Sequence, residues 1–130
     1  MIIADTDVLV DFLRGTGAAA RVELELSTGA LRTTTVAAFE LWQGVRSADA
    51  EQNVRTLLDA LEILPLDARA AELAGGVRRL LLQRREDIGV ADSLVAGVCL
   101  RQGGTLLTRN RKHFERVDGL KLSSIAGEVG

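Results

Sequence analysis

Three carboxylates stand in surroundings that do not suit an ordinary surface acid. Asp5 directly follows the apolar run Ile2-Ile3-Ala4. Glu40 lies in Val36-Ala37-Ala38-Phe39-Glu40-Leu41-Trp42, where its helical neighbours are Val36, Ala37, Gln43 and Gly44. Asp92 lies in Ile88-Gly89-Val90-Ala91-Asp92-Ser93-Leu94-Val95-Ala96, flanked at helical spacing by Ile88, Gly89, Val95 and Ala96. Burying a carboxylate among apolar groups is costly unless it is paired or neutralised. Each also has a plainer reading. Asp5 can cap a turn or helix, although Asp7 fits that role at least as well. Glu40 can be a half-exposed acid paired with Arg46 or another arginine. Asp92 can be a first-turn acid favoured by the helix dipole.

If the three converge, they repel. At an effective dielectric of ~20, two charges ~4 Å apart cost about 4 kcal/mol. Either one group holds a proton or a cation neutralises the set. Oxygen-only donors suit hard ions such as Mg²⁺ or Mn²⁺, and Mg²⁺ keeps several waters, so few protein ligands suffice. Such an ion can serve attack of water on a phosphodiester. The charge distribution fits a polyanion. The net charge is −2, yet residues 78–121 hold ten basic residues against five acids, and the remainder six against thirteen. Arg109, Arg111, Lys112 and Arg116 could grip nucleic-acid phosphates, or could be a solvated helix edge. With aromatics at 3% and no tyrosine, a base-stacking platform is not expected.

The elements that must position these residues alternate. Strands are expected at Ile2 to Ala4, Leu31 to Thr33, Glu62 to Leu66, Thr105 to Thr108 and Gly119 to Leu122. Helices are expected from Thr6-Asp7, over Ala18 to Leu26, from Thr34 or Thr35 through Val45, after a cap at Asp49, from a cap at Asp67 toward Gln83, and over Val90 to Leu100. Gly75-Gly76 weakens the long helix. The alternation predicts a three-layer α/β/α sandwich with a mainly parallel, short-stranded sheet. Ligands of such sheets lie beyond the carboxyl ends of the strands, which places Asp5 and Thr108 at the expected site. At 130 residues and 47% hydrophobic composition, the chain reads as a single domain over residues 1–130. It has no apolar run of membrane-spanning length, and its opening lacks the character of a signal peptide. The lone cysteine, Cys99, reads as core packing, and a cytoplasmic location is the simplest expectation.

At four places the chain resembles the PIN-domain family. These are Ile2-Ile3-Ala4-Asp5-Thr6-Asp7-Val8-Leu9, Phe39-Glu40-Leu41-Trp42-Gln43-Gly44-Val45, Ile88 to Ala96, and Leu106-Leu107-Thr108-Arg109-Asn110-Arg111-Lys112-His113-Phe114 with the tail Val117-Asp118-Gly119-Leu120. The length resembles the VapC toxins of toxin–antitoxin pairs. The resemblance implies a Mg²⁺- or Mn²⁺-dependent endoribonuclease in which Asp5 and Asp92 are the main metal ligands and Glu40 completes the acidic pocket. Thr108 would orient a carboxylate or water. It also implies a structured RNA such as tRNA as substrate, a VapB-type antitoxin as partner, and a homodimer. Many relatives carry a fourth acid at the position of Asn110 or His113. Here Asn110 can still offer a carbonyl oxygen, and His113 could bind phosphate or metal but reads first as a surface histidine, so a one-metal site survives and a second is not expected. Two other classes remain open: a phospho-acceptor signalling domain using Asp67, and a catalytically silent PIN-like binding module.

Overall fold

The computed structural model describes residues 1–125. Five strands form one parallel sheet: β1 (Ile2–Ala4), β2 (Arg32–Thr34), β3 (Glu62–Leu64), β4 (Thr105–Leu107) and β5 (Lys121–Ser123). Their order is β3-β2-β1-β4-β5, so β1 is central. Ile3 pairs with Leu106 on one side and with Arg32 on the other. The chain moves outward from β1 to β3 and then returns to build β4 and β5 on β1's other side. The strand order therefore reverses between β1 and β4, and the carboxyl ends there define a crevice.

Alternation along the strands separates two cores. Ala4 and Leu107 face one layer with Val8, Leu9, Val22, Leu57 and Leu58. Ile3 and Leu106 face the other with Leu81, Val95, Val98, Cys99 and Phe114. The first layer holds α1 (Thr6–Arg14), α2 (Ala19–Ser27) and α4 (Ala48–Asp59). The second holds α5 (Ala68–Gln83), α6 (Val90–Gln102) and the single turn α7 (Arg111–Phe114). Helix α3 (Thr35–Gln43) gives Ala38 and Leu41 to the first core and Val36 to the second. The three-layer sandwich is as expected.

Local chemistry sets the ends and corrects several boundaries. Ser47, not Asp49, caps α4, its hydroxyl accepting from Ala50 N at 3.0 Å; Asp49 lies in the first turn. Asp67 caps α5 as expected, and Gly75-Gly76 stays helical. β3 stops at Leu64, ahead of Pro65, which has no N–H to donate. Turn α7 falls where the basic residues after β4 also read as a helix edge, although its four residues carry no periodicity that would place its ends. Close α5–α6 packing relies on Gly97, where a Cβ would stand 2.5 Å from Ala70 O and 2.6 Å from Ala74 Cβ. The Cys99 thiol is buried, and burial pushes its pKa up to about 12, consistent with inert packing.

Candidate active site

The sequence-predicted residues meet at the strand-order reversal. Asp5 follows β1 and Thr108 follows β4, and the ladder continues one step beyond the strands through Asp5 N donating to Leu107 O at 2.9 Å. Asp5 is only 6% exposed, and Thr108 is wholly buried. The Thr108 hydroxyl donates to Asp5 Oδ2 at 2.7 Å and accepts from Asn110 N at 3.0 Å. One hydroxyl thus fixes the first carboxylate and the turn after β4.

Helix α6 brings Asp92 to the same place. Its N-cap, Gly89, has φ +90°, a conformation that L side chains rarely adopt, and this starts the helix with Asp92 in its first turn. Asn110 Nδ2 donates to Asp92 Oδ2 at 3.2 Å, and His113 Nδ1 lies 2.9 Å from the same oxygen. His113 is therefore not simply a surface histidine. It reaches Asp92 because Phe114, fully buried, anchors α7 in the core. Helix α3 delivers Glu40, whose Oε1 accepts from the Thr6 hydroxyl at 2.7 Å. Glu40 is half-buried and meets Thr6 rather than the arginine considered from sequence.

Asp5 takes the capping role that Asp7 also fitted, and it stays in the site as well. Asp5 is the N-cap of α1, its Oδ1 accepting from Thr6 N at 2.8 Å. Asp7 turns toward the segment after β4, where its Oδ2 accepts from Arg109 N at 3.0 Å and lies 3.4 Å from the Thr108 hydroxyl. Its Oδ1 is buried and has no hydrogen-bond partner among the described residues. Sequence reasoning missed this residue as part of the site. Its position two residues past Asp5, in the same resembling stretch, was the available signal.

Burial, then the Asp7 charge and to a lesser degree that of Asp92, push the Asp5 carboxyl up to about 7, against the Thr108 and Thr6 hydrogen bonds. Burial also raises Asp7, opposed by the Arg109 N–H. The site is short of positive charge. Among the described residues, no three His, Cys, Asp or Glu side chains stand close enough to form a ready-made metal cage. The donor set nevertheless fits a hard divalent ion that keeps most of its waters: oxygen atoms, a buried carboxyl biased toward the neutral form, and an orphaned carboxylate oxygen beside it. Asp5 and Asp92 would hold the ion, with Glu40 at the far side of Thr6.

The basic residues are largely committed elsewhere. Arg109 Nε pairs with the buried Asp11 at 2.8 Å. Arg111 donates to Ser123 O at 3.1 Å and lies near Glu115, and Arg116 donates to Glu86 O at 3.4 Å. Lys112 is exposed. Asp67 lies beyond the edge strand β3, where it caps α5 and meets Arg101 at 3.3 Å. That separates it from the site and removes the geometric basis for a phospho-acceptor there. Trp42 is 36% exposed with the Arg55 guanidinium 4.9 Å from its ring centre, a contact outside the carboxylate network. A groove of about 650 Å³ along α5 is lined by none of the site carboxylates.

A parallel α/β sandwich with buried acids at its strand-order reversal defines a class of acidic-site domains. The profile of the PIN domain matches residues 2–120, and the chain belongs to the PIN-domain family. It is 33% identical over 122 residues to ribonuclease VapC10 of Mycobacterium tuberculosis, covering 93% of this chain and 91% of that one. It is 28% identical to the tRNA(fMet)-specific endonuclease VapC of Shigella flexneri over 90% of this chain and 92% of that one. Among solved structures it resembles VapBC2 of Rickettsia felis bound to a promoter DNA fragment, with TM-score 0.81 and 28% identity over 95% of this chain and 98% of that one.

Proposed function

We propose that this chain is a divalent-cation-dependent endoribonuclease, the toxin of a VapBC-type toxin–antitoxin pair. The observation that carries the reading is the convergence of Asp5 and Asp92, 87 positions apart in the sequence, through Thr108 and Asn110. Named relatives that are ribonucleases support the same activity. When bound, Mg²⁺ or Mn²⁺ supplies an acidified water and neutralises charge on the phosphoryl oxygens. The residues do the positioning. Thr108 holds Asp5, Asn110 and His113 hold Asp92, and Thr6 holds Glu40 at the rim. Lys112, and Arg109 on its Asp11 tether, face the RNA backbone, with Arg111 and Arg116 contributing only where they exchange their present partners for phosphate.

The proposed substrate is a structured RNA such as tRNA. The proposed partner is a VapB-type antitoxin, the assembly a homodimer, and the location the cytoplasm. Residues 1–130 are proposed to act as one domain. No helix among the described residues is long and apolar enough to cross a membrane.

The test is cleavage of a tRNA pool with Mn²⁺ present. Asp5→Asn and Asp92→Asn should each lower the rate at least ~100-fold while keeping the native circular dichroism spectrum. Cleavage by both variants at the wild-type rate rejects the assignment. A folded wild-type chain that binds no Mn²⁺ in calorimetry favours the catalytically silent module instead.

A further inference from the structure

The turn after β4 carries two nitrogen groups that aim at one atom. Asn110 Nδ2 is 3.2 Å and His113 Nδ1 is 2.9 Å from Oδ2 of Asp92. Neither contact is incidental to a loose loop. Asn110 is fixed by its own N–H on the buried Thr108 hydroxyl, and His113 is fixed by the buried Phe114 that follows it. The two nitrogens lie 2.9 Å from each other, within hydrogen-bond distance when Nδ1 carries no proton.

The charge on Asp92 favours one tautomer. Without a proton, Nδ1 accepts from Asn110 Nδ2 at 2.9 Å but turns its lone pair on a carboxylate oxygen at the same distance, whereas a proton on Nδ1 makes a charge-assisted bond to that oxygen, the stronger of the two contacts. With the proton on Nδ1, the ring donates to Asp92. The ring proton on Nδ1 and the Asn110 amide then satisfy one carboxylate oxygen together and leave the other available.

We propose that Asn110 and His113 are positioning residues that clamp Oδ2 of Asp92 and so commit the carboxylate's remaining oxygen to the divalent cation. The proposal rests on the metal-site reading above. The last motif then contributes donors that orient a ligand, not a ligand of its own. Partners of this kind typically change metal affinity by about 10- to 100-fold when removed.

The test uses the intact chain and Mn²⁺ itself, with binding followed by calorimetry. His113→Ala should weaken Mn²⁺ binding by about 10-fold or more. His113→Asn places an amide N–H where Nδ1 stood and should stay within about 3-fold of wild type. His113→Gln places its amide where Nε2 stood and should behave like alanine. A general loss of local stability would not separate Asn from Gln. Thermal melts of the metal-free variants confirm folding. Wild-type affinity in His113→Ala, or equal affinities for the Asn and Gln variants, overturns the clamp.

A second readout needs no metal. The chain has one histidine, so its ring nitrogens are unambiguous in a ¹⁵N spectrum. In the neutral ring the proton should reside on Nδ1 and move toward the usual Nε2 form in Asp92→Asn. A wild-type ring protonated on Nε2 also overturns the clamp. A wild-type chain that shows the Nδ1 proton yet binds no Mn²⁺ overturns the metal reading, and the clamp's link to a cation with it. Weak binding confined to the His113 variants leaves both standing.

Discussion

Thr108 is the residue on which the site's geometry turns. Its hydroxyl is wholly buried, donates to Asp5 and accepts from Asn110, so Thr108→Val strands a buried carboxylate oxygen and a backbone N–H at once. The expected cost is about 1–3 kcal/mol in urea unfolding, with cleavage falling as well. Asp5 gives a pH signature. Its folded-state carboxyl sits near 7, above the ordinary carboxylate range, so the folded chain holds the proton more tightly than the unfolded chain does. The contribution of Asp5 to the stability of the metal-free protein is therefore greatest below about pH 4, where Asp5 is protonated in both states. It falls as pH rises from about 4 to about 7, by up to about 4 kcal/mol for a shift of this size. Asp5→Asn should accordingly raise the melting temperature at pH 8 and leave it nearly unchanged at pH 4. A lowered melting temperature at pH 8 would mean that the carboxylate is neutralised by some other group.

At the scale of elements, the α5–α6 pair sets where Asp92 stands. Gly97 lets α6 approach the α5 backbone, and a methyl group there would press on Ala70 O and Ala74. The obstacle is backbone, which cannot rotate away. Gly97→Ala should destabilise the fold by about 1–3 kcal/mol despite alanine's better helix propensity. It should also shift Asp92 relative to Asp5, so Mn²⁺ affinity is expected to drop alongside stability. Unchanged stability in Gly97→Ala would show that the helices separate without penalty. The helix α1 acts on the opposite side. Its Asp7 and Asp11, one turn apart, hold Arg109 by its N–H and its guanidinium, which ties the loop after β4 to the first layer. The cations after β4 are for this reason mostly structural in the free chain.

For the molecule as a whole, the two cores on opposite faces of a five-stranded sheet hold acids that repel one another. A ligand that binds only the folded state stabilises it in proportion to its concentration over its dissociation constant. Saturating Mn²⁺, at about 100 times that constant, should add about 2.7 kcal/mol to wild-type stability, read as a raised melting temperature, and Asp92→Asn should abolish the rise. An equal rise in Asp92→Asn would place the ion elsewhere.

Asn110 entered only through the resemblance to the PIN-domain family. The sequence by itself determined the alternation of strands and helices, the layer architecture, Thr108 at the end of a strand, and Asp5, Glu40 and Asp92 as carboxylates in unsuitable surroundings. It did so because apolar periodicity reports burial, and a carboxylate inside such a pattern is a local anomaly that needs no third dimension to be seen. What only the tertiary structure decided was which groups touch. The turn of Asp7 toward the segment after β4, the reach of Glu40 to Thr6, the commitment of Arg109 and Arg111 to internal partners, and the turn of His113 onto Asp92 all depend on contacts between segments remote in the chain. Hydrogen-bond direction and distance arise only when the strand order reverses between β1 and β4 and brings those segments side by side. No spacing along the chain encodes them.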